Sequence, residues 1–116
     1  MNATVTLTQE IRINGGATYA PGRSVPMAGY MVSLHGSERT IPLDAFGSAE
    51  LDNYIQEYAY RVDADARLFY GAWVDGETVY LDLSMNVADR AEALLIGEFE
   101  SQLAIYDVAN GDVITL

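Results

Sequence analysis

The sequence predicts an α+β fold, a single domain over residues 1–116 with two helices packed on one face of a mainly antiparallel sheet of hairpins. Two observations support this fold class. Short segments rich in β-branched and aromatic residues flank Asp75-Gly76 and Asn110-Gly111, dipeptides that favour two-residue type I′ turns. The segments 49–62 and 87–100 instead place apolar residues three or four positions apart, which is the period of a helix. Helices that alternate with hairpins are typical of α+β domains.

The N-terminal part of the chain is predicted to be mostly extended. Over Ala3–Ile13 the apolar residues follow one another by even steps, so one face of a strand would be apolar. Ala17–Ala28 contains prolines and no helical period, and it is predicted as an irregular loop. Gly29–Leu34 is a second predicted strand. Glu38–Leu43 is a short third one, which Pro42 would place at a sheet edge.

Two helices are predicted further along the chain. The first spans about 49–62, with Ser48 as its N-cap. Its apolar stripe consists of Leu51, Ile55, Tyr58 and Val62. The second spans about 87–100, with Asn86 as its N-cap. Its apolar stripe consists of Ala88, Ala91, Leu95 and Phe99.

The central hairpin is predicted to join strands Leu68–Val74 and Thr78–Leu83 through Asp75-Gly76. A two-residue loop at that dipeptide places Ala72 opposite Val79. The face toward the core would then carry Leu68, Tyr70, Ala72, Val79, Leu81 and Leu83. The other face would carry Phe69, Gly71, Trp73, Thr78, Tyr80 and Asp82.

A last hairpin is predicted to join Leu103–Val108 to Asp112–Leu116. A two-residue loop at Asn110-Gly111 would turn the chain. One face of this hairpin would carry Leu103, Ile105, Ile114 and Leu116, with Asp107 near its end.

Charge is the most unusual property of the chain. Seventeen acidic residues stand against six arginines and no lysine, which leaves a formal net charge of −11. Most of the excess lies in residues 44–116, where fifteen acids and three arginines leave −12. A surface of this sign attracts basic proteins and repels nucleic acid and anionic lipid, although high charge also simply keeps proteins in solution. We therefore expect a basic protein partner, no direct nucleic-acid binding and no membrane binding.

Several chemistries are excluded by residue types that are missing. Cysteine is absent, which removes disulfides, thiol nucleophiles and thiolate metal sites. Lysine is absent, which removes Schiff-base chemistry, and no phosphate-binding glycine loop is present. The apolar runs are too short to span a membrane, and the N-terminus has no signal-peptide pattern. We expect a cytoplasmic location and no cofactor.

Two weak catalytic signals in the sequence each have a simpler explanation. His35 lies beside Ser33 and Ser37 in the sequence, but a triad depends on geometry in space rather than on neighbours in the chain. Asp63-Ala64-Asp65 has the spacing of a short acidic metal motif, although such pairs are common on solvated turns. No catalytic or metal-binding residue is therefore predicted, and a small hydrolase ranks third among the functional hypotheses.

Two candidate binding surfaces follow from these patterns. The first is acidic and consists of Glu50, Asp52, Glu57, Asp63, Asp65, Asp89, Glu92, Glu98 and Glu100. The second is aromatic and consists of Trp73 and Tyr80, on the hairpin face opposite the core. Tyrosine and tryptophan are favoured in binding surfaces because they offer a large area at low entropy cost. A second layer, such as the loop 17–28, would cover the aromatic face if it served only the fold.

The C-terminal part of the chain carries a set of short motifs. They are Gly71-x-Trp73, Val79-Tyr80-Leu81-Asp82, Arg90-Ala91-Glu92-Ala93, Gln102-Leu103-Ala104-Ile105-Tyr106-Asp107 and Asn110-Gly111. With these motifs the chain resembles small acidic uncharacterised accessory proteins of actinobacterial phages and their hosts. The resemblance implies a protein that binds and blocks a host protein, and acidic proteins of this kind can imitate the phosphate charge of DNA. It assigns no functional residue.

We therefore expect a non-enzymatic acidic protein-binding domain. In the version that the resemblance favours, it is a phage accessory protein that inhibits a nucleic-acid-binding defence protein of the host by DNA-like charge mimicry. The alternative is a structural or assembly module that forms homo-oligomers through the aromatic face of its sheet.

Overall fold

The structure, a computed structural model, describes residues 3–116. The helices are α1 (Ala3–Asn14), α2 (Ser48–Ala64) and α3 (Arg90–Phe99). The strands are β1 (Gly16–Tyr19), β2 (Tyr30–Ser33), β3 (Arg39–Pro42), β4 (Leu68–Asp75), β5 (Thr78–Val87), β6 (Ala104–Asp107) and β7 (Asp112–Thr115). A single turn of 3-10 helix, Leu43–Ala45, precedes α2.

All seven strands form one antiparallel sheet, in which six follow the order β1-β4-β5-β2-β6-β7 and β3 pairs with β5 beside β2. β5 is the longest strand and organises the others. One of its edges pairs with β4 along nearly its whole length. The other edge pairs first with β3 and then with β2, so these two short strands lie end to end beside β5.

Ser37 fills the gap where the chain leaves the sheet between β2 and β3. The side chain is fully buried, and its Oγ accepts a hydrogen bond from the Leu83 backbone N–H (3.0 Å). The same hydroxyl donates to the Leu34 carbonyl (2.7 Å), and the Tyr54 hydroxyl donates to the Ser37 carbonyl (2.7 Å). A serine side chain therefore takes over the hydrogen bonding of the missing strand residue.

All three helices pack on the same face of the sheet, which carries the even-numbered residues of β4 and the odd-numbered residues of β5. The main core contains Leu7, Ile11, Leu51, Tyr54, Val62, Tyr70, Leu81 and Leu83. A smaller cluster under α3 contains Val32, Val87, Ala93 and Ile105. The predicted α+β fold is confirmed, with three helices instead of two over residues 3–116. None of these helices is long and apolar enough to cross a membrane.

The predicted strand over Ala3–Ile13 is wrong, because this segment is helix α1. Its buried positions are Thr4, Leu7, Thr8 and Ile11, which have the spacing of a helical stripe. Two of these positions are threonines, so in the sequence the helical stripe resembles the alternation of polar and apolar residues in a strand. The Thr8 hydroxyl donates to the Thr4 carbonyl one turn earlier (2.7 Å), which satisfies it inside the helix.

The predicted irregular loop Ala17–Ala28 is wrong in its first residues, since Gly16–Tyr19 forms edge strand β1 against β4. The sequence signal is weak because the strand is short and begins with glycine. Gly16 is needed there, because a Cβ at this position would lie 2.8 Å from the Ala72 carbonyl oxygen.

The rest of that loop, residues 20–28, forms no helix or strand. Arg23 attaches it to the body of the protein by donating to the backbone carbonyls of Leu68 (2.7 Å) and Val62. The guanidinium also lies over the Phe69 ring, 5.8 Å from its centroid. Phe69 is consequently buried even though it lies on the sheet face opposite the helices.

The central hairpin has the predicted strands and faces, but its register is shifted by two residues. Ala72 lies opposite Leu81, and the two loop residues are Gly76 and Glu77 rather than Asp75 and Gly76. Only Gly76 has a positive φ (+60°) in this loop, as in a type II′ turn with glycine at its first central position. Because the shift is an even number, every side chain stays on its predicted face.

The first predicted helix is confirmed as α2, and its apolar stripe faces the core. Its start differs by one residue from the prediction. Gly47 occupies the N-cap position and Ser48 is the first helical residue, without a side-chain cap hydrogen bond.

The second predicted helix begins later than expected. Asn86 was predicted as its N-cap, but β5 continues to Val87 and Asn86 pairs with Met31 of β2. The N-cap is Asp89, whose carboxylate accepts a hydrogen bond from the Glu92 backbone N–H (2.9 Å).

Helix α3 is also rotated relative to the prediction. Leu95 and Phe99 were predicted to be buried, but they are 67% and 86% exposed. Ala93 and Gly97 face the sheet instead. A Cβ at Gly97 would lie 3.0 Å from the Ile105 Cγ2, so small residues allow the helix to approach β6 closely.

The last hairpin turns through four residues, Val108–Gly111, and not through two. Asp107 holds this loop, because its carboxylate accepts hydrogen bonds from the Asn110 backbone N–H (3.3 Å) and side-chain amide (2.7 Å). Ile105 and Ile114 are cross-strand partners on the predicted inner face, whereas Leu103 is exposed.

Candidate functional site

The second face of the sheet, opposite the helices, is the candidate functional surface, and we call it the open face. It carries Gly71 and Trp73 of β4, Tyr80, Asp82 and Ser84 of β5, Met31 and Ser33 of β2, Tyr106 of β6 and Val113 of β7. Cross-strand partners share a face of a sheet, so the observed register places these side chains together.

A groove of about 1030 Å³ lies along the open face. The strands β1, β4, β5 and β2 line it on one side. The segment 101–103, with β6 and β7, lines it on the other. β6 pairs with β2 only at Tyr30–Asp107 and Met31–Tyr106, near one end of both strands.

Trp73 and Tyr80 form an aromatic pair at the groove. They are direct cross-strand partners, their ring centroids are 4.1 Å apart and their planes differ by 10°. Trp73 lines the groove and remains 44% exposed. A rigid, partly exposed stack of this kind offers contact area at little entropy cost.

Asp82 lies in the groove beside the aromatic pair, two residues along β5 from Tyr80. One carboxylate oxygen accepts a hydrogen bond from the Ser33 hydroxyl (2.7 Å), and the other accepts a long one from the Ser84 hydroxyl (3.4 Å). Burial raises the pKa of the Asp82 carboxyl above its ordinary value, and the two serine hydroxyls oppose that rise.

Gly71 makes room for the Asp82 carboxylate. It lies directly opposite Asp82 on β4, and a Cβ there would lie 2.5 Å from the Asp82 Oδ1. The two salt bridges found over residues 3–116 join Arg39 to Glu57 and Arg67 to Asp65. The Asp82 carboxylate therefore has serine donors but no cationic partner in that part of the chain.

Five of the nine predicted acids make contacts that support the fold. Asp52 accepts from Thr4, Glu57 pairs with Arg39, Asp65 pairs with Arg67, Asp89 caps α3, and Glu100 accepts from the His35 backbone N–H. The hydrogen bonds from Arg67 lower the pKa of the Asp65 carboxyl. These carboxylates are already neutralised or hydrogen-bonded, which reduces what they offer to a partner.

The other predicted acids differ in exposure. Asp63, Glu92 and Glu98 are exposed and make no side-chain hydrogen bond or ion pair within the described residues, whereas Glu50 is half-buried. All four belong to α2 or α3, which cover the core face. The structure therefore places the acids and the aromatic pair on opposite faces, as two separate surfaces.

No hydrogen bond within the described residues joins His35 to the side chain of Ser33 or Ser37. His35 is exposed in the turn between β2 and β3. The Ser33 hydroxyl donates to Asp82, and the Ser37 hydroxyl donates to the Leu34 carbonyl. Among residues 3–116, no group of three or more His, Asp or Glu side chains is placed to hold a metal ion.

Sequence reasoning missed Asp82 and its partners as site residues. The alternation did place Asp82, Gly71 and Trp73 on the face opposite the core. It could not show that Ser33 would lie beside Asp82, because β2 and β5 pair across about fifty residues of chain (Ser33↔Ser84).

Comparison of the chain with protein-family models, with curated proteins and with solved structures found no match. The features of the chain that bear on its function are the geometry of the open face, the distribution of charge and the chemistry of the groove.

Proposed function

We propose that this chain is a non-enzymatic protein-binding domain whose partner, a basic protein, docks on the open face of the sheet. The observation that carries the proposal is the groove of about 1030 Å³ on a sheet face without a helix. Binding sites are typically concave and mainly apolar, with a few placed polar groups. Trp73 and Tyr80 supply the apolar contact, and Asp82 is the placed polar group.

Charge supports the basic character of the partner. The net charge of −11 attracts cationic proteins at long range and accelerates their association. The resemblance of residues 71–114 to phage accessory proteins supports a host protein as the partner, and inhibition of that protein as the result. Under this proposal the acidic surface guides the encounter, and the open face forms the contact.

A second candidate function is charge mimicry on the helical side. The observation that favours it is that Asp63, Glu92 and Glu98 are exposed and make no side-chain hydrogen bond or ion pair within residues 3–116. They lie on two helices that cover the same face of the sheet. A partner that binds nucleic acid would then contact α2 and α3 and leave the open face free.

Two matched variants separate these candidates. The open-face variant carries Trp73→Ala and Tyr80→Ala, and the helix variant carries Asp63→Asn, Glu92→Gln and Glu98→Gln. Each tagged chain is used to capture proteins from an actinobacterial lysate, and captured proteins are purified and tested for direct binding. Circular dichroism establishes that both variants remain folded.

We expect the wild-type chain and the helix variant to bind the same basic protein, and the open-face variant to lose it. Retention by the open-face variant together with loss by the helix variant would establish charge mimicry and refute docking on the open face. Sedimentation of the wild-type chain as a dimer and of the open-face variant as a monomer would instead assign the open face to homo-oligomer assembly.

A further inference from the structure

We propose that Asp82, beside the Trp73–Tyr80 stack, forms a subsite for the guanidinium group of an arginine side chain on the partner. This inference rests on the proposed binding at the open face and specifies the chemistry of the contact. The Asp82 carboxylate lies in the groove and has no cationic partner among residues 3–116.

The surroundings of Asp82 leave hydrogen-bonding capacity free. An ionised carboxylate can accept about four hydrogen bonds, and Asp82 receives one short bond from Ser33 and one long bond from Ser84. The long bond, at 3.4 Å, occupies its oxygen only weakly. A partner that supplies two N–H donors would therefore find acceptors on both oxygens.

The position of the aromatic pair favours guanidinium over ammonium. Tyr80 and Asp82 are two residues apart on one face of β5, a separation of about 7 Å along a strand. A planar guanidinium can donate two parallel hydrogen bonds to a carboxylate and stack on an aromatic face at the same time. A lysine ammonium is a compact point charge, so it cannot combine two parallel hydrogen bonds to one carboxylate with stacking on a ring.

Gly71 is the residue that makes room for the Asp82 carboxylate in this subsite. A side chain at position 71 would meet the Asp82 Oδ1, since even a Cβ would lie 2.5 Å from it. The Asp82 carboxylate thus lies over Gly71 on the open face, and Trp73, two residues from Gly71 on the same strand, also lines the groove.

The test uses three tetrapeptides as probes: tetra-arginine, tetra-citrulline and tetra-lysine. Citrulline has nearly the shape of arginine but no charge. Trp73 is the only tryptophan of the chain and lines the groove, so its fluorescence reports binding at this place. Titrations at constant ionic strength are made with the wild-type chain, with Asp82→Asn and with Asp63→Asn, a matched loss of one exposed carboxylate.

We expect the wild-type chain to bind tetra-arginine at least about ten-fold more tightly than tetra-citrulline or tetra-lysine. Asp82→Asn should weaken tetra-arginine binding by about ten-fold or more and leave tetra-citrulline unchanged, and Asp63→Asn should weaken it less than about two-fold. If Asp82→Asn disturbs the fold by circular dichroism, Gly71→Ala is used in its place, because an added Cβ would displace the Asp82 carboxylate while keeping its charge.

Equal losses for Asp82→Asn and Asp63→Asn would mean that the peptide binds the acidic surface in general, and would overturn the subsite. Equal binding of tetra-lysine would overturn the guanidinium assignment, and so would the absence of a saturable change in Trp73 fluorescence. None of these results would affect the capture experiment with the open-face variant, so the failure of the subsite and the failure of the proposed function can be told apart.

Discussion

At the scale of single residues, we expect the Asp82 carboxylate to lower the stability of the fold at neutral pH. It lies at a partly buried strand position, and burial raises its pKa above the value of a free side chain. Replacing it by an uncharged residue of the same shape would remove that cost. Residues that serve binding often carry such a cost.

Asp82→Asn should therefore increase the free energy of unfolding at about pH 7, or leave it unchanged. A raised pKa in the folded state means that the folded chain holds this proton more tightly. The contribution of Asp82 is then favourable below its unfolded pKa and is lost as the pH rises through its folded pKa. The two chains should differ least at about pH 3.5 and most at neutral pH. Urea unfolding of both chains and of the control Asp63→Asn at each pH measures this.

A loss of more than about 1 kcal/mol in Asp82→Asn at neutral pH would show that the carboxylate is a structural anchor for Ser33 and Ser84. In that case the hydrogen bonds from the two serines outweigh the cost of burial.

At the scale of elements, the β4–β5 hairpin shows how a turn residue sets the register. Gly76 has a φ of +60°, and a Cβ there would meet no atom within 4 Å, so only backbone conformation disfavours a larger residue. Gly76→Ala should therefore lower the free energy of unfolding by about 1 kcal/mol or more. Glu77→Ala, at the neighbouring position without a positive φ, should change it by less than about 0.5 kcal/mol. Equal effects in chemical denaturation would contradict the type II′ turn.

Helix α3 is the element whose buried side differs most from the apolar stripe predicted from the sequence. Leu95 is 67% exposed and Leu51 of α2 is 2% exposed. Leu51→Ala should destabilise the protein by about 2–5 kcal/mol, as for other buried leucines. Leu95→Ala should change the free energy of unfolding by no more than about 0.5 kcal/mol. Thermal unfolding of both variants measures these effects. A large destabilisation by Leu95→Ala would mean that Leu95 is buried, as the sequence predicted.

These two elements also show what the sequence could and could not predict. The faces of the central hairpin follow from period-two alternation, which survives an even shift in register. The stacking of Trp73 on Tyr80 depends on the register itself, which the prediction of a loop at Asp75-Gly76 placed two residues away from the observed one. In α1 the buried threonines hid the helix, and in α3 the buried positions are Ala93 and Gly97, which hydrophobicity alone does not select.

At the scale of the whole molecule, the net charge of −11 and the groove should act on different steps of binding. Exposed charges steer the encounter, so the association rate constant for the captured partner should fall several-fold or more between about 50 and 300 mM salt. The dissociation rate constant should change less, because it reflects the buried contact. Surface plasmon resonance of the wild-type chain and the helix variant tests this. An association rate that does not respond to salt would remove any role for the acidic surface.

The site itself lay largely beyond prediction for the same reason as the topology. Ser33, Asp82 and Tyr106 come from three strands whose pairing the sequence does not specify. The acids were easy to identify, yet five of the nine have partners that only the folded chain brings close. The fold class was accessible because it depends on local periodicity, whereas the groove depends on contacts between distant segments.

The short pairing between β2 and β6 affects the order in which parts of the protein unfold locally. Eight residue pairs join β4 to β5, but only two join β6 to β2. The segment 90–116 also packs on a small cluster apart from the main core, to which β2 contributes Val32 and β5 contributes Val87. We therefore expect this segment to open more readily than the β4–β5 hairpin, so that the Ile105 amide exchanges with deuterium before the Tyr70 amide does. Strands β6 and β7 of this segment line one side of the groove. A partner bound in the groove should therefore slow the exchange of their amides. Hydrogen–deuterium exchange would then detect binding in a segment that contains no tryptophan.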